Sequence, residues 1–321
     1  MRVASVTVVF NSVQVVARHI SALLAQTHPL TEIVIVDNGS CDGTPELLSR
    51  EFPQVTVLEL HENAGVGGAY AAGVEYAVGQ GYDWIWLFDD DSLPQPEALH
   101  QLLEAQPIRH GNRVGAVACL PVNPETGRTY SGWLWRDRLV PVDPAVATQQ
   151  YYFVDTVISS GTLLNRHAVE AVGLPIREYF MDFVDHEYNL RIRRAGFSIV
   201  VVRSSIMHHW IGKPRVVPFP DRSRLWSEQP AWRHYYMVRN QVATVCYALL
   251  TARAAMFLAA SVMKQIGGIL LLDCNKLPKL HMVLKGIADG LGRRLGKRVV
   301  PPKPTPQPPP TAGGDIRTAS C

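Results

Sequence analysis

The sequence predicts an α/β chain built on a mostly parallel sheet with flanking helices. Short β-branched runs alternate with helical stretches from residue 3 to about residue 122, the rhythm of a parallel sheet with helical crossovers. The runs are apolar almost throughout, as strands covered on both faces must be. Two of them, Val34-Ile35-Val36-Asp37 and Trp84-Ile85-Trp86-Leu87-Phe88-Asp89, end abruptly in a carboxylate. Such sheets bind ligands at that carboxyl edge.

Val3 to Phe10 is the first expected strand. A helix follows with Val16, Ile20, Leu23 and Leu24 at helical spacing and Ser12 as its expected N-cap. Glu32 to Asp37 is the second strand. The next helix is expected to start with Thr44 as N-cap and Pro45 in its first position, where a missing N–H costs nothing. Val55 to His61, Asp83 to Phe88 and Gly115 to Val122 complete the strands of this half. From residue 123 the rhythm weakens and aromatics gather at Gly132-Trp133-Leu134-Trp135. A helix from Asp185 to Ala195, stopped by Gly196, then leads to a strand from Ser198 to Val202.

Residues 240 to 273 are strongly apolar but contain Arg253 and Lys264. The longest uncharged run falls short of the roughly 20 residues that span a bilayer, so no spanning helix is expected. Arg253 and Lys264 fall about 20° apart on a helical wheel, a basic stripe against an apolar surface, which is an interfacial pattern. Residues 274 to 303 hold eight basic residues against one acid, Asp289, a local charge of +7 that leaves −4 for the rest. The expected organisation is one α/β domain over 1–235, with halves 1–122 and 123–235, an amphipathic and basic helical region over 236–300, and a disordered Pro-rich tail over 301–321.

Composition excludes several classes. With 47% hydrophobic and 18% charged residues in 321, the chain is too apolar for disorder and too interrupted for a polytopic membrane protein. A net charge of +3 is too small to argue for nucleic acid. Cys41, Cys119, Cys246, Cys274 and Cys321 are odd in number, widely spaced and without C-x-x-C, so neither a disulfide framework nor a zinc site is expected. The N-terminus runs from Arg2 into a strand, unlike a signal peptide; a cytoplasmic protein is expected.

The strongest chemical signal is Asp89-Asp90-Asp91 after its apolar strand. Three adjacent carboxylates raise one another's pKa unless a cation sits among them. In an extended segment Asp89 and Asp91 point the same way, so both can face one hard divalent ion, Mg²⁺ or Mn²⁺, with water and phosphate oxygens completing its shell. A solvated acidic turn is the bland alternative. Asp37-Asn38-Gly39-Ser40 ends another buried strand and offers a carboxylate to a base or ribose, although Asp-Asn-Gly is also a common turn. Asn63-Ala64-Gly65-Val66-Gly67-Gly68-Ala69-Tyr70 opens a helix, but the dinucleotide spacing G-x-G-x-x-G fails at Tyr70. Close approach of backbone to a nucleotide or sugar stays open; a hydride-transfer cofactor does not. Asp185 opens a helix whose dipole keeps it ionised, as a general base requires. His208 and His209 lie past the following strand, from which one could return as a ligand. Taken alone, an N-cap aspartate and surface histidines explain these equally well.

Together these features resemble glycosyltransferase family 2, the inverting enzymes of the GT-A fold, Rossmann-like and using nucleotide-sugar donors. The resemblance spans roughly residues 3 to 240. It is carried by Val6-Thr7-Val8-Val9-Phe10-Asn11, Val36-Asp37-Asn38-Gly39-Ser40-Cys41-Asp42-Gly43-Thr44, Asn63-Ala64-Gly65 and Asp89-Asp90-Asp91. It implies that Asp37, Asp42, Asn63, Gly65 and Asp90 serve the nucleotide sugar and that Asp89 and Asp91 hold the metal. The usual Glu-Asp pair ahead of the base helix reads Val184-Asp185 here. That departure is similar to bacterial rhamnosyltransferases and galactofuranosyltransferases, whose segment looks like Phe183-Val184-Asp185-His186-Glu187-Tyr188. By that resemblance Asp185 is the base, His209 completes the metal site, and Glu187, Trp210, Tyr236, Arg239 and Asn240 lie on the acceptor side of the second half. It implies a lipid-linked or oligosaccharide acceptor and, with the basic end, an anionic membrane surface as partner. Two rival readings are a non-catalytic nucleotide-sugar-binding protein of the same fold and a nucleotidyltransferase. The latter is disfavoured because Val3 to Ser12 carries no Gly or Lys for a triphosphate loop.

Overall fold

A computed structural model describes residues 1–109, 113–135, 139–142, 149–210, 215–217, 224–249 and 251–302. The expected tail from 303 onward, and Ile211-Gly212 of the histidine segment, lie outside the described residues.

The first half alternates strand and helix as expected: β1 (Val3–Val9), α1 (Val16–Leu24), β2 (Glu32–Asp37), α2 (Thr44–Glu51), β3 (Thr56–Glu59), α3 (Gly65–Gly79) and β4 (Trp84–Asp89). It continues through β5 (Leu93–Pro94), α4 (Ala98–Leu103), α5 (Gln106–Arg109) and β6 (Val114–Val122). The second half adds a hairpin of β7 (Trp133–Trp135) and β8 (Leu139–Pro141), then β9 (Tyr151–Val154), β10 (Thr162–Asn165), α6 (Arg166–Val172), α7 (Val184–Arg194) and β11 (Ser198–His208). Nine strands form the main sheet in the order β3-β2-β1-β4-β10-β6-β11-β5, with β9 paired to β11. Strands β3, β2, β1, β4, β6 and β11 run one way, while β10, β5 and β9 run against them.

The period of two sorts β1 between two cores. Ala4, Val6 and Val8 face α3, where Tyr70 and Val74 cover them, while Val3 and Val9 face Val16, Ile20 and Leu23 of α1. Register aligns Val8 with Asp89 and Val9 with Asp37. The carboxyl ends of β1, β2 and β4 therefore open on one edge.

Three local expectations are corrected. Ser12 does not cap α1 with its side chain; its carbonyl receives the amides of Val15 and Val16, its hydroxyl oxygen accepts from the Phe10 amide, and its hydroxyl donates to Asp90. Thr44 is the first residue of α2 rather than its cap; Asp42 takes both the Thr44 amide, at 3.0 Å, and its hydroxyl. Leu24 is 50% exposed rather than on the buried stripe. Cys41, Cys119 and Cys246 are free thiols, but Cys274 is disulfide-bonded, because spacing along the chain does not restrict which thiols folding brings together.

The C-terminal region comprises α8 (Ala231–Thr244), a π-helical turn (Val245–Leu249), α9 (Ala252–Leu272) and α10 (Lys276–Leu291). Glycines let α10 lie close on α8: a Cβ at Gly286 would sit 2.7 Å from the Tyr235 carbonyl, and one at Gly290 2.7 Å from Val242 Cβ. Val238, Val242, Val262, Ile269 and Val283 form the small core between the three helices. Their outer faces leave Met256, Met263, Leu271, Leu277, Leu284 and Leu291 exposed. By length and composition α9 alone among the described residues could cross a membrane, since its uninterrupted 21 residues carry Lys264 within one apolar helix. Much of the basic run is framework. Lys279 is buried against Asp273 and Glu228, Arg294 and Arg298 face Asp289, and Lys297 donates to the Asn63 carbonyl at 3.0 Å.

Candidate active site

One cavity of about 700 Å³ opens at the carboxyl edge of the sheet. Asn38, Asn63, Gly65 and Tyr70 line one end; Asp89, Asp90, Asp91 and His209 its floor; Asp182, Asp185, His186 and Arg233 its far wall; Met237, Gln241, Phe257 and Ser261 of α8 and α9 the remaining end.

The floor is built from strand β4 outward. Tyr70 of α3, itself buried, donates its hydroxyl to Asp89 Oδ1 at 2.8 Å, and the Asp89 amide donates to Ser160 Oγ at 3.1 Å. Burial holds the Asp89 carboxyl above its ordinary range, against the opposing charge of His209. Burial also raises Asp90, to about 7, with Asp91 and Asp89 adding repulsion. Strand β11 ends at His208, just before His209. It runs past the expected end at Val202 and shifts register against β6 between Val201 and Ile206, a bulge that re-aims the residues beyond it. His209 Nδ1 then lies 3.1 Å from Asp91 Oδ1 and Nε2 3.9 Å from Asp89 Oδ2, with the Ser92 hydroxyl also 3.1 Å from Nδ1. Burial opposes protonation of this imidazole, but the hydrogen bond and charge of Asp91, with Asp89 and Asp90 behind, overcome it and hold the pKa above the usual histidine value. Among the described residues no three His, Cys, Asp or Glu side chains form a ready-made metal cage. Of the two adjacent histidines, it is His209 that lines the cavity.

The nucleotide end rests on paired amides. Asn38 Oδ1 accepts the Ala64 amide at 2.8 Å, and Asn63 Oδ1 accepts the Gly65 amide at 2.9 Å. Gly65 has φ +77°, and a Cβ there would overlap the Phe180 carbonyl; only glycine allows this approach. Asp37 and Asp42 are not among the residues that line the cavity. Asp37, 3% exposed, accepts the Ser40 amide at 3.1 Å, and Asp42 braces Val13 and Thr44.

Asp185 lies in the first turn of α7. Its loop is held from α8. Asn240 donates to the Met181 and Asp182 carbonyls at 2.8 Å each, and Arg239 to the Glu178 and Gly296 carbonyls. Tyr236 donates to the Val299 carbonyl at 2.6 Å, while Glu187 pairs with Arg191 at 2.7 Å. These four residues, expected on the acceptor side, thus do not reach the cavity; buried polar side chains in this fold satisfy backbone carbonyls and one another. Trp210 does line it, with Nε1 donating to Glu125 at 3.0 Å and Arg18 packed over its ring. Tyr70, Asn38, His186, Asp182 and Arg233 join the site without having been singled out. Tyr70 had registered only as the position where a glycine motif fails.

A mostly parallel sheet whose carboxyl edge gathers an acidic cluster, a histidine and a helix-borne aspartate around one cleft defines a glycosyltransferase of the GT-A fold. The model of the family described as "Glycosyl transferase family 2" matches residues 5–172, just over half of the chain, and the chain belongs to that family. It is 25% identical over 233 residues to galactofuranosyltransferase GlfT1 of Mycobacterium tuberculosis, covering 70% of this chain and 76% of the relative. It is 27% identical over 213 residues to dTDP-rhamnosyl transferase RfbF of Shigella flexneri, covering 65% and 68%. The solved structure of GalNAc-T7 with UDP, GalNAc and Mn²⁺ superposes with a TM-score of 0.61 at 15% identity, over 91% of this chain and 56% of that one.

Proposed function

We propose that this glycosyltransferase moves a sugar, rhamnose or galactofuranose, from a nucleoside diphosphate to a hydroxyl of a lipid-linked glycan, with inversion at the anomeric carbon, at the cytoplasmic face of the cell membrane. One observation carries the reading: Asp185 and the Asp89–Asp91 cluster with His209 line the same cavity. In this reading a base and a diphosphate face a single reacting centre from two walls of that cavity.

In this reading Asp185 accepts the proton of the acceptor hydroxyl. The hydroxyl oxygen forms its bond to C1 as the C1–O bond to the diphosphate breaks, and the electron pair leaves with the diphosphate. Asn38, Asn63 and the Gly65 backbone position the nucleotide. Two carboxylates and an imidazole are a donor set suited to Mn²⁺ or Mg²⁺, and burial, which raises the Asp89 and Asp90 carboxyls, penalises anions that a cation would stabilise. Asp89, Asp91 and His209 would hold that ion. Such an ion would supply charge neutralisation for the departing diphosphate.

The outer faces of α9 and α10 support a membrane-surface location. Their exposed apolar residues lie beside Lys264, Lys276 and Lys285, a pairing suited to an anionic leaflet. Phe257 and Ser261 of the same α9 line the cavity, so a lipid-linked acceptor reaches the site along that helix.

The test is a donor panel with Mn²⁺ and a lipid-linked acceptor, product being read by mass spectrometry. Asp185→Asn keeps donor binding and loses transfer by roughly 10²- to 10⁴-fold. A non-catalytic binding protein would bind donor and show no transfer in either form.

A further inference from the structure

The cavity wall carries five aspartates, Asp89, Asp90, Asp91, Asp182 and Asp185, and among its described lining residues a single Lys or Arg, Arg233. Arg233 begins a stripe on α8 that continues through Met237 and Gln241, one and two turns further along the same face. Its guanidinium meets Asp182 edge-on, with Nε 3.0 Å from Oδ2 and Nη2 3.0 Å from Oδ1. Nη1 has no protein partner among the described residues, and the side chain, which lines the cavity, is 40% exposed.

The partner is held in an unusual way. Asp182 and Phe183 have φ of +60° and +64°, and two consecutive non-glycine residues in the left-handed region store strain that the surrounding structure must over-determine. Asn240 supplies that constraint by gripping the carbonyls of Met181 and Asp182. The outcome is a carboxylate held against the Nε and Nη2 edge of a cavity-lining guanidinium, leaving Nη1 without a partner among the described residues.

We propose that Arg233 is a diphosphate-binding residue, oriented by Asp182, that meets the phosphates on the side of the cavity opposite the Asp89–Asp91 cluster. This rests on the glycosyl-transfer reading above. Fork geometry suits guanidinium to phosphate oxygens, and a dianionic group entering a cleft with five carboxylates needs a fixed cation. The same chemistry is offered by the donor's nucleoside diphosphate and by a lipid diphosphate on the acceptor.

The experiment measures UDP and dTDP binding by calorimetry at fixed Mn²⁺, and KM for a glycan acceptor with and without its lipid diphosphate. Arg233→Gln is expected to weaken one of these ligands roughly ten- to hundredfold, and Arg233→Lys less. Loss of nucleotide affinity identifies the donor diphosphate; unchanged nucleotide affinity with a raised KM only for the diphosphate-bearing acceptor identifies the acceptor. The double variant Asp182→Asn/Arg233→Gln removes both charges. If Arg233 served only to neutralise Asp182, this variant would recover wild-type affinities, which overturns the proposal; it is expected to stay weak. Unchanged affinities in a folded Arg233→Gln also overturn it. Absence of nucleotide binding by the unmodified protein would instead refute the glycosyl-transfer reading itself.

Discussion

The Tyr70 hydroxyl donates to Asp89 Oδ1 at 2.8 Å from within the helix that follows the nucleotide loop. Burial and the charge of Asp89 keep the phenol protonated, raising its pKa well above the ordinary value, so it remains a donor throughout the working pH range. It fixes one carboxylate oxygen and leaves the other toward His209. Tyr70→Phe fills the same volume without the donor. Loss of a hydrogen bond to a ligand of this kind lowers metal affinity roughly 10- to 100-fold. A Mn²⁺ titration of transfer rate checks this; an unchanged Mn²⁺ requirement would remove Tyr70 from the site's support.

His19 and Asp90 give the protein opposing dependences on pH. Burial lowers His19 to about 4 while Thr7 Oγ1 lies 2.8 Å from Nε2. An unfolded histidine binds its proton near pH 6.5, so this contribution is complete above 6.5 and about 3 kcal/mol is lost as pH falls towards 4. Asp90, raised to about 7 chiefly by burial, works the other way: its contribution is complete below the unfolded value of 3.8 and is lost as pH rises through 7. In the wild type the two slopes offset each other. His19→Gln is expected to lose stability with rising pH, and Asp90→Asn to gain it. Urea melts between pH 4 and 8 measure both slopes, and wild-type slopes in both variants would contradict the assignment.

Asn240 bears on rate as well as stability. Its amide serves two carbonyls of the loop that leads into Asp185. Asn240→Ala strands both in a buried setting, at a cost of about 1–3 kcal/mol, and loosens Asp185, the proposed base. The expected signature is a lower kcat with donor KM little changed, because Asn38 and Asn63 are untouched. A change confined to donor KM would show that the loop does not position the base.

The strand ends at Asp37 and Asp89 were legible because buried parallel strands are apolar to their last residue, so a carboxylate there stands out. From the residues alone His209 was legible only as one of two histidines, and the family resemblance was what favoured it over His208. In the structure the choice depends on a bulge that Arg203-Ser204-Ser205 concealed by interrupting the apolar run at the expected strand end. Tyr236, Arg239 and Asn240 share a short motif, yet their carbonyl partners lie near 178–182 and 296–299, and no local pattern announces contacts across such distances. Asp182 and Arg233 are 51 positions apart. Each is unremarkable alone, and only the packing of α8 against the loop before α7 makes them a pair.

The outer face of α10 tests the membrane reading apart from catalysis. Leu277, Leu284 and Leu291 recur every seven residues and are 80%, 64% and 56% exposed, while the opposite side is committed to α8 through Gly286 and Gly290. Much of the nearby basic charge is already engaged by Asp289, Asp273 and Glu228. Apolar burial, at about 1.5–3 kcal/mol per leucine, should therefore contribute more to docking than charge, at about 1 kcal/mol per exposed Lys or Arg. Leu277→Glu/Leu284→Glu is expected to lower partitioning onto phosphatidylserine-containing vesicles by roughly a hundredfold or more, with transfer to a short soluble acceptor unchanged. Binding of the unmodified protein should persist largely undiminished in 0.5 M salt, where screening shortens to about 4 Å. Cosedimentation abolished by salt, or a double variant that binds as well as wild type, would place the membrane contact elsewhere. Loss of self-association in the variant, seen by sedimentation equilibrium without vesicles, would instead assign this face to a second copy of the chain.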